Sequence, residues 1–418
     1  MSAAMKVRRF GGAILIARDG RALVSKGYGM ANLEDDKPNT PQTKFRIGSL
    51  TKQFTATAVV MLQERGKLNV SDPVCKYLPD CPAAWQPVTI RHLLTHTSGI
   101  PNYTDSPDFK QLSRLATPLP ALMELFKNKT LDFTPGEKYN YSNSGYVVLG
   151  AVIERASGKS YQDFLRENIF GRLGMSSTGY ESNAEVLKRR AAGYAYDPRS
   201  DAVVNAAYID MTTPYAAGAL YSTVEDMLLW DQALYTERLI SRKSLDEMFT
   251  PFKNNYGYGW GVRKQFNRQS ISHAGGINGF SSYIARYPED RVTVIVLANH
   301  EEVSSSNVAR DLAAIVLGEP YQIPQEQKAV ALKTDVLDSY VGQYRLPNTV
   351  LIITNEGGKL MLVQQETPES KRELLAKSET DFFLKGAELQ IRFVKDEKGQ
   401  VTHLMILGAG NLTAPKIK

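Results

Sequence analysis

The stretch "FRIGSLTKQF", residues 45–54, places a lysine three residues after a serine, at the start of a long apolar run. Apolar residues continue at helical spacing through Met61 and Leu62, and Gly66 is suited to end the helix. Residues three apart on a helix share a face, so Lys52 can reach the hydroxyl of Ser49. S-x-x-K fixes only two letters, however, and a turn serine followed by a solvated lysine has the same pattern.

The composition excludes several classes of function. The chain has 418 residues, of which 43% are apolar and 22% charged, as in ordinary globular proteins of two or three domains. Its net charge of +6 is spread along the chain without a basic block rich in aromatics, so no nucleic-acid partner is predicted. The most apolar run, "VTVIVLA", is far shorter than the roughly 20 residues of a membrane span. No metal-binding spacing or phosphate loop appears, and we predict no cofactor and no metal site.

Strand signals lie at both ends of residues 1–318, with helical patterns between them. Asp19 and Gly20 separate two apolar runs and predict a β-hairpin. The runs "YGYGWGVRKQF", "SISHAGG", "FSSYIARY" and "RVTVIVLAN" predict further strands. Gly158 ends one helical pattern, and "STVEDM" predicts a capping box formed by Ser222 and Glu225. The predicted fold is α+β, an antiparallel sheet built from both ends of this region with a mainly helical insert.

From Gly318 the sequence changes character. "GEPYQIPQEQ" is polar and contains proline, as linkers do. Short alternating strands follow, such as "TVLIIT", "KLMLVQ" and "LQIRFV", and predict a small all-β barrel or sandwich. We therefore predict a main domain over residues 1–318, a linker over 319–332 and a barrel over 333–418. The barrel sequence lacks an acid, base and nucleophile cluster, which favours a structural or docking role.

Two further motifs are weak when each is taken alone. "YNYSNSGY" contains Y-S-N, from Tyr141 to Asn143, just before a predicted helix, where the asparagine could be a helix cap and the tyrosine a core aromatic. "SISHAGGINGF" contains H-A-G, from His273 to Gly275, on a predicted strand, followed by Gly276. A lone histidine near glycines is more often a packed residue than a catalyst.

Taken in order, S-x-x-K, Y-x-N and H-x-G form the signature of penicillin-recognising serine hydrolases. The chain resembles the class C β-lactamase-like superfamily, which includes DD-peptidases, D-aminopeptidases and family VIII esterases. The resemblance spans residues 10–317 and includes "RHLLTHTSGIP", "AAGALYSTVEDMLLW" and "YGYGWGV". It implies a β-lactamase/transpeptidase-like catalytic domain over residues 1–318. The C-terminal part resembles the small lipocalin-like barrel appended to many such proteins.

The resemblance implies a catalytic role for Ser49, Lys52 and Tyr141. Ser49 would be the nucleophile, and a serine hydroxyl needs a nearby base. Lys52 can be that base if burial lowers its pKa. Tyr141 would face Ser49 and either take its proton or return one to the leaving group, so the identity of the base stays open. Asn143 would bond to the substrate amide or to Lys52.

The resemblance also implies an oxyanion site. Its donors would be the backbone N–H groups of Ser49 and Gly276, and Gly275 and Gly276 would let an acyl chain lie along the strand edge. His273 departs from the lysine that many β-lactamases carry. Histidine is mostly neutral at pH 7, so we expect it to grip a substrate carboxylate less firmly, although it can still donate a hydrogen bond. This difference favours a peptidase or esterase over a dedicated β-lactamase.

We therefore predict a serine acyl hydrolase that acts through an acyl-enzyme at Ser49 on small-molecule or short-peptide substrates. These would be small peptides, amides or esters, with a D-residue at the cleaved bond as one option. Three alternatives stay open: a β-lactamase, a penicillin-binding sensor or scaffold without turnover, and an acyl transferase or peptide cyclase. The sequence does not indicate an oligomeric state.

Other conspicuous side chains receive structural interpretations. His96 is expected to brace a loop near the site, and the rest are expected to pack or lie on the surface: Tyr256, Tyr258, Trp260, His92, His300 and His403.

Cys75 and Cys81 fit no common metal-site spacing. They could form a small disulfide or remain two free thiols, and a disulfide would favour an oxidising compartment. Together with the resemblance, this predicts a periplasmic or secreted protein, with the cytoplasm as the alternative. Basic residues precede a short apolar run at the N-terminus, but the run leads straight into the predicted hairpin. We interpret it as a strand and expect that a natural leader has been removed before it.

Overall fold

The computed structural model describes residues 1, 10–198, 200–325, 327–347, 349–365, 367–385, 389–407 and 412–417, and only the backbone of residues 367–370. The β-strands are, in chain order, β1 (Gly12–Arg18), β2 (Arg21–Tyr28), β3 (Met30–Asn32), β4 (Lys37–Pro38), β5 (Phe45–Arg46), β6 (Gly179–Tyr180), β7 (Tyr194–Asp197), β8 (Ala202–Asn205), β9 (Leu220–Ser222), β10 (Gly261–Gln265), β11 (Arg268–Ile277), β12 (Phe280–Tyr287), β13 (Val292–Ala298), β14 (Gly342–Leu346), β15 (Thr349–Glu356), β16 (Lys359–Gln364), β17 (Thr367–Ala376), β18 (Asp381–Leu384), β19 (Gln390–Lys395), β20 (Val401–Leu407) and β21 (Leu412–Pro415).

The α-helices are α1 (Thr51–Glu64), α2 (Ile90–Leu94), α3 (Phe109–Leu112), α4 (Leu119–Glu124), α5 (Asn143–Ser157), α6 (Tyr161–Leu165), α7 (Gly171–Leu173), α8 (Tyr215–Gly218), α9 (Val224–Ala233), α10 (Arg242–Phe249), α11 (Ser305–Leu317) and α12 (Thr334–Ser339). Single 3₁₀ turns occur at Gly48–Leu50, Val74–Lys76, Ala83–Trp85 and Tyr103–Asp105, and a π-turn at Arg166–Phe170.

Six antiparallel strands form the main sheet, in the order β10-β11-β12-β13-β1-β2. β1 pairs with β13 from Gly12↔Ala298 to Arg18↔Val292, so the two ends of the region meet at the centre of the sheet. The turn between β1 and β2 is the predicted one, with Asp19 at φ 51° and Gly20 at φ 75°. The predicted α+β fold, an antiparallel sheet from both ends with a helical insert, is confirmed.

Both faces of the sheet centre are covered, which explains why β1 and β13 are continuously apolar. Along β1, Leu15 packs into the core shared with the helical insert, whereas Ile14 and Ile16 pack into the core on the opposite face. Leu312 of α11 belongs to that second core. Because successive side chains along a strand point to opposite faces of the sheet, each strand contributes side chains to two separate cores.

Helix α1 lies at the centre of the insert. Every residue from Thr51 to Leu62 is buried, including the lysine. The helix ends at Glu64, and Gly66 follows in the left-handed region at φ 65°, as predicted. Ser49 lies in the 3₁₀ turn before this helix and Lys52 in its first turn, so the fold buries the lysine and leaves the serine partly exposed.

The capping box predicted at Ser222 is wrong by one residue. Ser222 ends β9, and its hydroxyl pairs with Thr178 Oγ1 at 2.8 Å. Thr223 caps α9 instead, and its Oγ1 accepts the N–H of Asp226 at 3.1 Å. Two adjacent hydroxyl residues, each followed three positions later by an acidic residue, match the same pattern. Strand pairing of Ser222 with Phe45 decides between them.

The C-terminal residues form an eight-stranded antiparallel sheet in sequence order, from β14 to β21. The sheet nearly closes into a barrel, because the N–H of Ile417 donates to the carbonyl of Gln343 at 2.8 Å. An aromatic cluster fills its interior, with Tyr340, Phe382 and Phe393 in mutual ring contact. The predicted all-β barrel is confirmed.

The stretch between α11 and α12 has no regular secondary structure in its described residues. At its start Glu319 forms an ion pair with Arg268 of β11 at 2.5 Å. Near its end the N–H of Val330 donates to the carbonyl of Ala376 in β17 at 2.8 Å. Lys385 of the barrel reaches Asp201, beside β8, at 3.0 Å.

Cys75 and Cys81 form a disulfide, with their Cα atoms 5.1 Å apart. Of the two possibilities that the sequence left open, the structure has the bonded pair. In the described part of the chain, no helix is long and apolar enough to cross a membrane.

Candidate active site

Ser49 and Lys52 lie on the first turns of the buried helix. Ser49 sits in the 3₁₀ turn that leads into α1, and Lys52 follows one turn later. Lys52 Nζ lies 3.0 Å from Ser49 Oγ. The spacing of three residues therefore brings the two groups into hydrogen-bond contact, as the helical pattern predicted.

Lys52 Nζ has two other partners. It donates to Asn143 Oδ1 at 2.8 Å and to the carbonyl oxygen of Ala217 at 2.8 Å. The lysine is fully buried, and burial holds the pKa of its ammonium group well below the ordinary value. In its deprotonated form, which burial favours, this amine has two N–H groups and one lone pair. The two carbonyl-type oxygens can only accept, so they take the two N–H groups, and the lone pair is left facing the Ser49 hydroxyl.

Tyr141 contacts the same serine from the other side. Its hydroxyl donates to Ser49 Oγ at 2.9 Å. Burial, which outweighs the opposite effect of the contact with Ser49, raises the pKa of Tyr141 above its ordinary value. Tyr141 is thus a neutral proton donor in this structure. The Ser49 hydroxyl lies between a proton donor and a buried amine.

Asn143 begins helix α5 and links it to Lys52. Its backbone N–H is bound by the side chain of Asn102 at 2.9 Å, and its Nδ2 lies 3.2 Å from Thr104 Oγ1. These contacts orient its Oδ1 toward Lys52. Of the two roles predicted for Asn143, the contact with Lys52 is present.

Strand β11 runs very close to the serine turn. Gly48, at φ 50°, approaches so near that a Cβ there would lie 2.9 Å from the backbone N of Gly276. A Cβ on Gly275 would lie 2.0 Å from the carbonyl oxygen of Ile47. Ser282 Oγ on β12 also donates to that carbonyl at 2.8 Å. Glycine is required at both positions because the two backbones touch.

The backbone of β11 has an unpaired edge beside Ser49. β11 and β12 are joined by a two-residue turn, so Ile277 and Phe280 form a hydrogen-bonded pair and the pairing alternates from there. The N–H and C=O of Gly276 consequently point away from β12. β10 pairs with β11 only as far as Ser272, which leaves this edge open. A Cβ on Gly276 would meet no heavy atom within 4 Å, so a substrate has room there.

His273 is engaged on both ring nitrogens. Nδ1 lies 2.6 Å from the carbonyl oxygen of Ala274, so it carries the proton, and Nε2 accepts the hydroxyl of Tyr256 at 2.8 Å. Burial is the largest cause that lowers the pKa of His273 to about 4, and the positive charge that Lys52 carries when it is protonated acts in the same direction. A neutral imidazole with both nitrogens satisfied has no donor left for a substrate. This differs from the hydrogen bond to a substrate carboxylate that we expected from it.

His96 lies against Tyr141. Its ring centroid is 4.2 Å from that of Tyr141 and 4.8 Å from that of Tyr256. It accepts the backbone N–H of Ser142 on Nδ1 at 3.1 Å. Burial, with repulsion from Lys52 and His273, holds its pKa well below the ordinary value. The predicted bracing role agrees with these contacts.

The other residues with structural interpretations lie apart from Ser49. Tyr258 donates to Glu247 at 2.8 Å, and Trp260 is fully buried against Phe249. His92 accepts a backbone N–H in the capping box of α2. His300 is buried beside Tyr194, and His403 lies on barrel strand β20.

Sequence reasoning missed three parts of the site. The Ala217 carbonyl and the close approach of Gly48 are backbone features, which leave no side-chain signal. Tyr256 was interpreted as packing, although its hydroxyl fixes His273. An aromatic residue 17 positions before the histidine carries no spacing that predicts this contact.

Comparison with protein families matches residues 1–318 to the family described as "Beta-lactamase". The chain belongs to the beta-lactamase family. Residues 326–413 match a second family, a domain of unknown function designated DUF3471. The match to the first family agrees with the resemblance that the three motifs carry.

Two curated members of the family are similar to the chain. A penicillin-binding protein of Bacillus subtilis is 34% identical over 414 residues, which cover 93% of this chain and 91% of that protein. The teichoic acid D-alanine hydrolase of Staphylococcus aureus is 29% identical over 313 residues, covering 72% of this chain and 74% of that protein.

Two solved structures are similar to this chain in their fold. An octameric penicillin-binding protein homologue from Pyrococcus abyssi has a TM-score of 0.70 at 26% identity and covers 99% of this chain and 97% of its own. The D-amino acid amidase of Ochrobactrum anthropi has a TM-score of 0.66 at 27% identity, over 75% of this chain and 95% of its own. The chain is thus a member of a serine hydrolase family with penicillin-binding, amidase and D-alanine hydrolase relatives.

Proposed function

We propose that the protein is a serine acyl hydrolase that forms an acyl-enzyme at Ser49 and cleaves small peptides, amides or esters. The observation that carries the proposal is the position of the Ser49 hydroxyl, 3.0 Å from the amine of Lys52 and 2.9 Å from the hydroxyl of Tyr141. A nucleophile flanked by a base and an acid is the arrangement that acyl transfer needs.

In the first step Ser49 Oγ attacks the substrate carbonyl and Lys52 takes its proton. The lone pair of the neutral amine faces that hydroxyl, whereas Tyr141, with its raised pKa, keeps its own proton. We therefore assign Lys52 as the base of acylation. The negative charge on the carbonyl oxygen would be stabilised by the N–H groups of Ser49 and Gly276, which lie at the helix start and the open strand edge.

In the second step the bond to the leaving group breaks. Tyr141 donates its proton to the leaving nitrogen or oxygen and regains one from the Lys52 ammonium, so that the Ser49 proton ends on the leaving group. The acyl group then remains on Ser49 Oγ as an ester. Water attacks this ester in the second half of the reaction and passes a proton to Lys52. The bond between the acyl carbon and Ser49 Oγ then breaks, Lys52 returns the proton to Ser49 Oγ, and the acid product leaves.

A D-configured acyl part is the substrate class that we favour. Two similar proteins are named for D-alanine and D-amino acid chemistry. The absence of a free donor on His273 argues against a site built around a substrate carboxylate, which β-lactam antibiotics carry. The Cys75–Cys81 disulfide supports a periplasmic or secreted location, because such bonds persist in oxidising compartments.

The test compares wild type, Ser49→Ala and the control Ser71→Ala, an exposed serine remote from the site. Initial rates are measured on a p-nitrophenyl ester, a D-alanyl p-nitroanilide and nitrocefin, and intact mass is recorded during turnover. We expect ester or anilide turnover with a transient acyl adduct, lost in Ser49→Ala and kept in the control. Full activity of Ser49→Ala would refute the proposal. Nitrocefin as the best substrate would indicate a β-lactamase, and acylation without turnover would indicate a sensor.

A further inference from the structure

We propose that His96 is a positioning residue for Tyr141 and sets the rate at which Ser49 is acylated. The inference rests on the proposed function of Ser49 and adds a residue that contacts neither substrate nor nucleophile. Its basis is a set of contacts that hold the chain on both sides of Tyr141.

His96 binds the two residues that flank Tyr141. Its backbone carbonyl accepts the N–H of Asn140 at 2.9 Å. Its ring Nδ1 accepts the N–H of Ser142 at 3.1 Å. One residue thus fixes the main chain immediately before and immediately after the tyrosine.

The ring of His96 also contacts the tyrosine itself. The two ring centroids are 4.2 Å apart, with the planes inclined by 35°. The Tyr141 hydroxyl, at the far end of that ring, donates to Ser49 at 2.9 Å. The phenol is therefore located by two backbone anchors and one ring contact, and its hydroxyl has little freedom to leave the serine.

The acceptor at Nδ1 explains why a histidine occupies this position. Because Nδ1 accepts, the neutral ring carries its proton on Nε2, and that buried atom has no hydrogen-bond partner among the described residues. An unpaired buried N–H costs stability, so an apolar ring would fill this space better. What an apolar ring lacks is an acceptor for Ser142.

The backbone at this position suits the same task. His96 has φ 55°, in the left-handed region that few residues adopt and in which histidine and asparagine are enriched. Asparagine therefore offers a matched substitution, since its Oδ1 can accept the Ser142 N–H in the manner of Nδ1. Phenylalanine offers the complementary one, because it keeps a ring against Tyr141 and removes the acceptor.

The experiment measures single-turnover acylation of Ser49 by a D-alanyl p-nitroanilide in the full chain, because the leaving nitrogen of this substrate needs the proton that Tyr141 would supply. Since displacement of a catalytic group by about 1 Å can cost about 100-fold in rate, we expect His96→Phe to lower the acylation rate constant about 10- to 100-fold with KM changed less than about threefold. His96→Asn should stay within about fivefold of wild type, because it keeps the acceptor. His92→Phe is the control, since it removes an Nδ1 that also accepts a backbone N–H, but at the start of α2.

A second comparison separates positioning from general stability. In a Tyr141→Phe background the hydroxyl that His96 positions is gone, so His96→Phe should add less than about threefold. If His96→Phe does not fold, His96→Leu replaces it, since leucine also lacks an acceptor. Any of three results would overturn the inference: an equal loss of acylation rate in both backgrounds, an equal loss of rate in His96→Asn and His96→Phe, or no loss of rate in His96→Phe. Wild type that is never acylated at Ser49 would overturn the proposed function, and the inference with it.

Discussion

Replacement of Lys52 by methionine and by arginine tests the assignment of the base most directly. Methionine removes the amine, whereas arginine keeps a positive charge but cannot give up a proton at any working pH. If Lys52 accepts the Ser49 proton, both variants should lose activity. If it serves only as a buried charge, arginine should substitute for it.

The structure sets the size of the expected effects. General acid–base catalysis contributes about 10²- to 10⁴-fold, or about 2.7–5.4 kcal/mol at about 1.36 kcal/mol per tenfold. Lys52→Met also deprives Asn143 Oδ1 and the Ala217 carbonyl of a donor, at about 1–3 kcal/mol each. Burial of the amine itself costs free energy of folding, so its removal offsets part of that loss of stability. We therefore expect a folded variant with at least about 100-fold lower kcat/KM.

The assay is kcat/KM on a p-nitrophenyl ester, with thermal unfolding as the control for folding. In wild type the base works deprotonated, so kcat/KM should fall as pH drops through the pKa of Lys52. Burial lowers that pKa well below its ordinary value, so the loss of activity toward acid should begin at a pH well below the one at which an exposed lysine titrates. A kcat/KM of Lys52→Arg within about threefold of the wild-type value would refute the assignment. The assignment would also be refuted if kcat/KM of Lys52→Met fell with decreasing pH in the same way as that of wild type.

Two further predictions concern the strand edge. Because the neutral His273 ring carries its proton on Nδ1 and offers Nε2 only as an acceptor, wild type should cleave acetyl-D-alanyl-D-alaninamide with at least about tenfold higher kcat/KM than the same peptide ending in a carboxylate. Equal use of the two peptides by wild type would contradict the prediction. Gly275→Ala should lower both the urea midpoint of unfolding and the activity, because its Cβ would collide with backbone atoms. Gly276→Ala should leave the urea midpoint nearly unchanged and weaken only substrate binding. Equal unfolding midpoints for the two variants would contradict the close approach described at Gly275.

The sequence predicted the parts of the site that depend on local geometry. Ser49 and Lys52 are three residues apart on one helix, and helical spacing is enough to bring them together. The contact between Tyr141 and Ser49 spans 92 positions, and no periodicity predicts it; the resemblance of ordered motifs did. The hairpin at Asp19 and Gly20 was predictable because few residue pairs adopt its turn.

Other features were beyond the sequence for physical reasons. The cap of α9 moved from Ser222 to Thr223 because strand pairing, a long-range contact, occupies Ser222. The hydrogen bond from Tyr256 that fixes the tautomer of His273 depends on side-chain packing between segments. The spacing of Cys75 and Cys81 allowed either a bond or two thiols, and only the geometry of the loop decides.

The close approach of the serine turn and β11 has a consequence for biosynthesis. The hydrogen bond between Ile47 and Ser282 joins residues 235 positions apart, so Ser49 is made long before β12 and the neighbouring β11, which carries the proposed oxyanion donor of Gly276. Ribosomes add about 5–20 residues per second, which leaves Ser49 and Lys52 without that strand for about 10 to 50 seconds. A nascent chain would carry its nucleophile but no means of stabilising the charged intermediate. Under the proposed function, the order of synthesis therefore delays hydrolysis until β11 and β12 have been made.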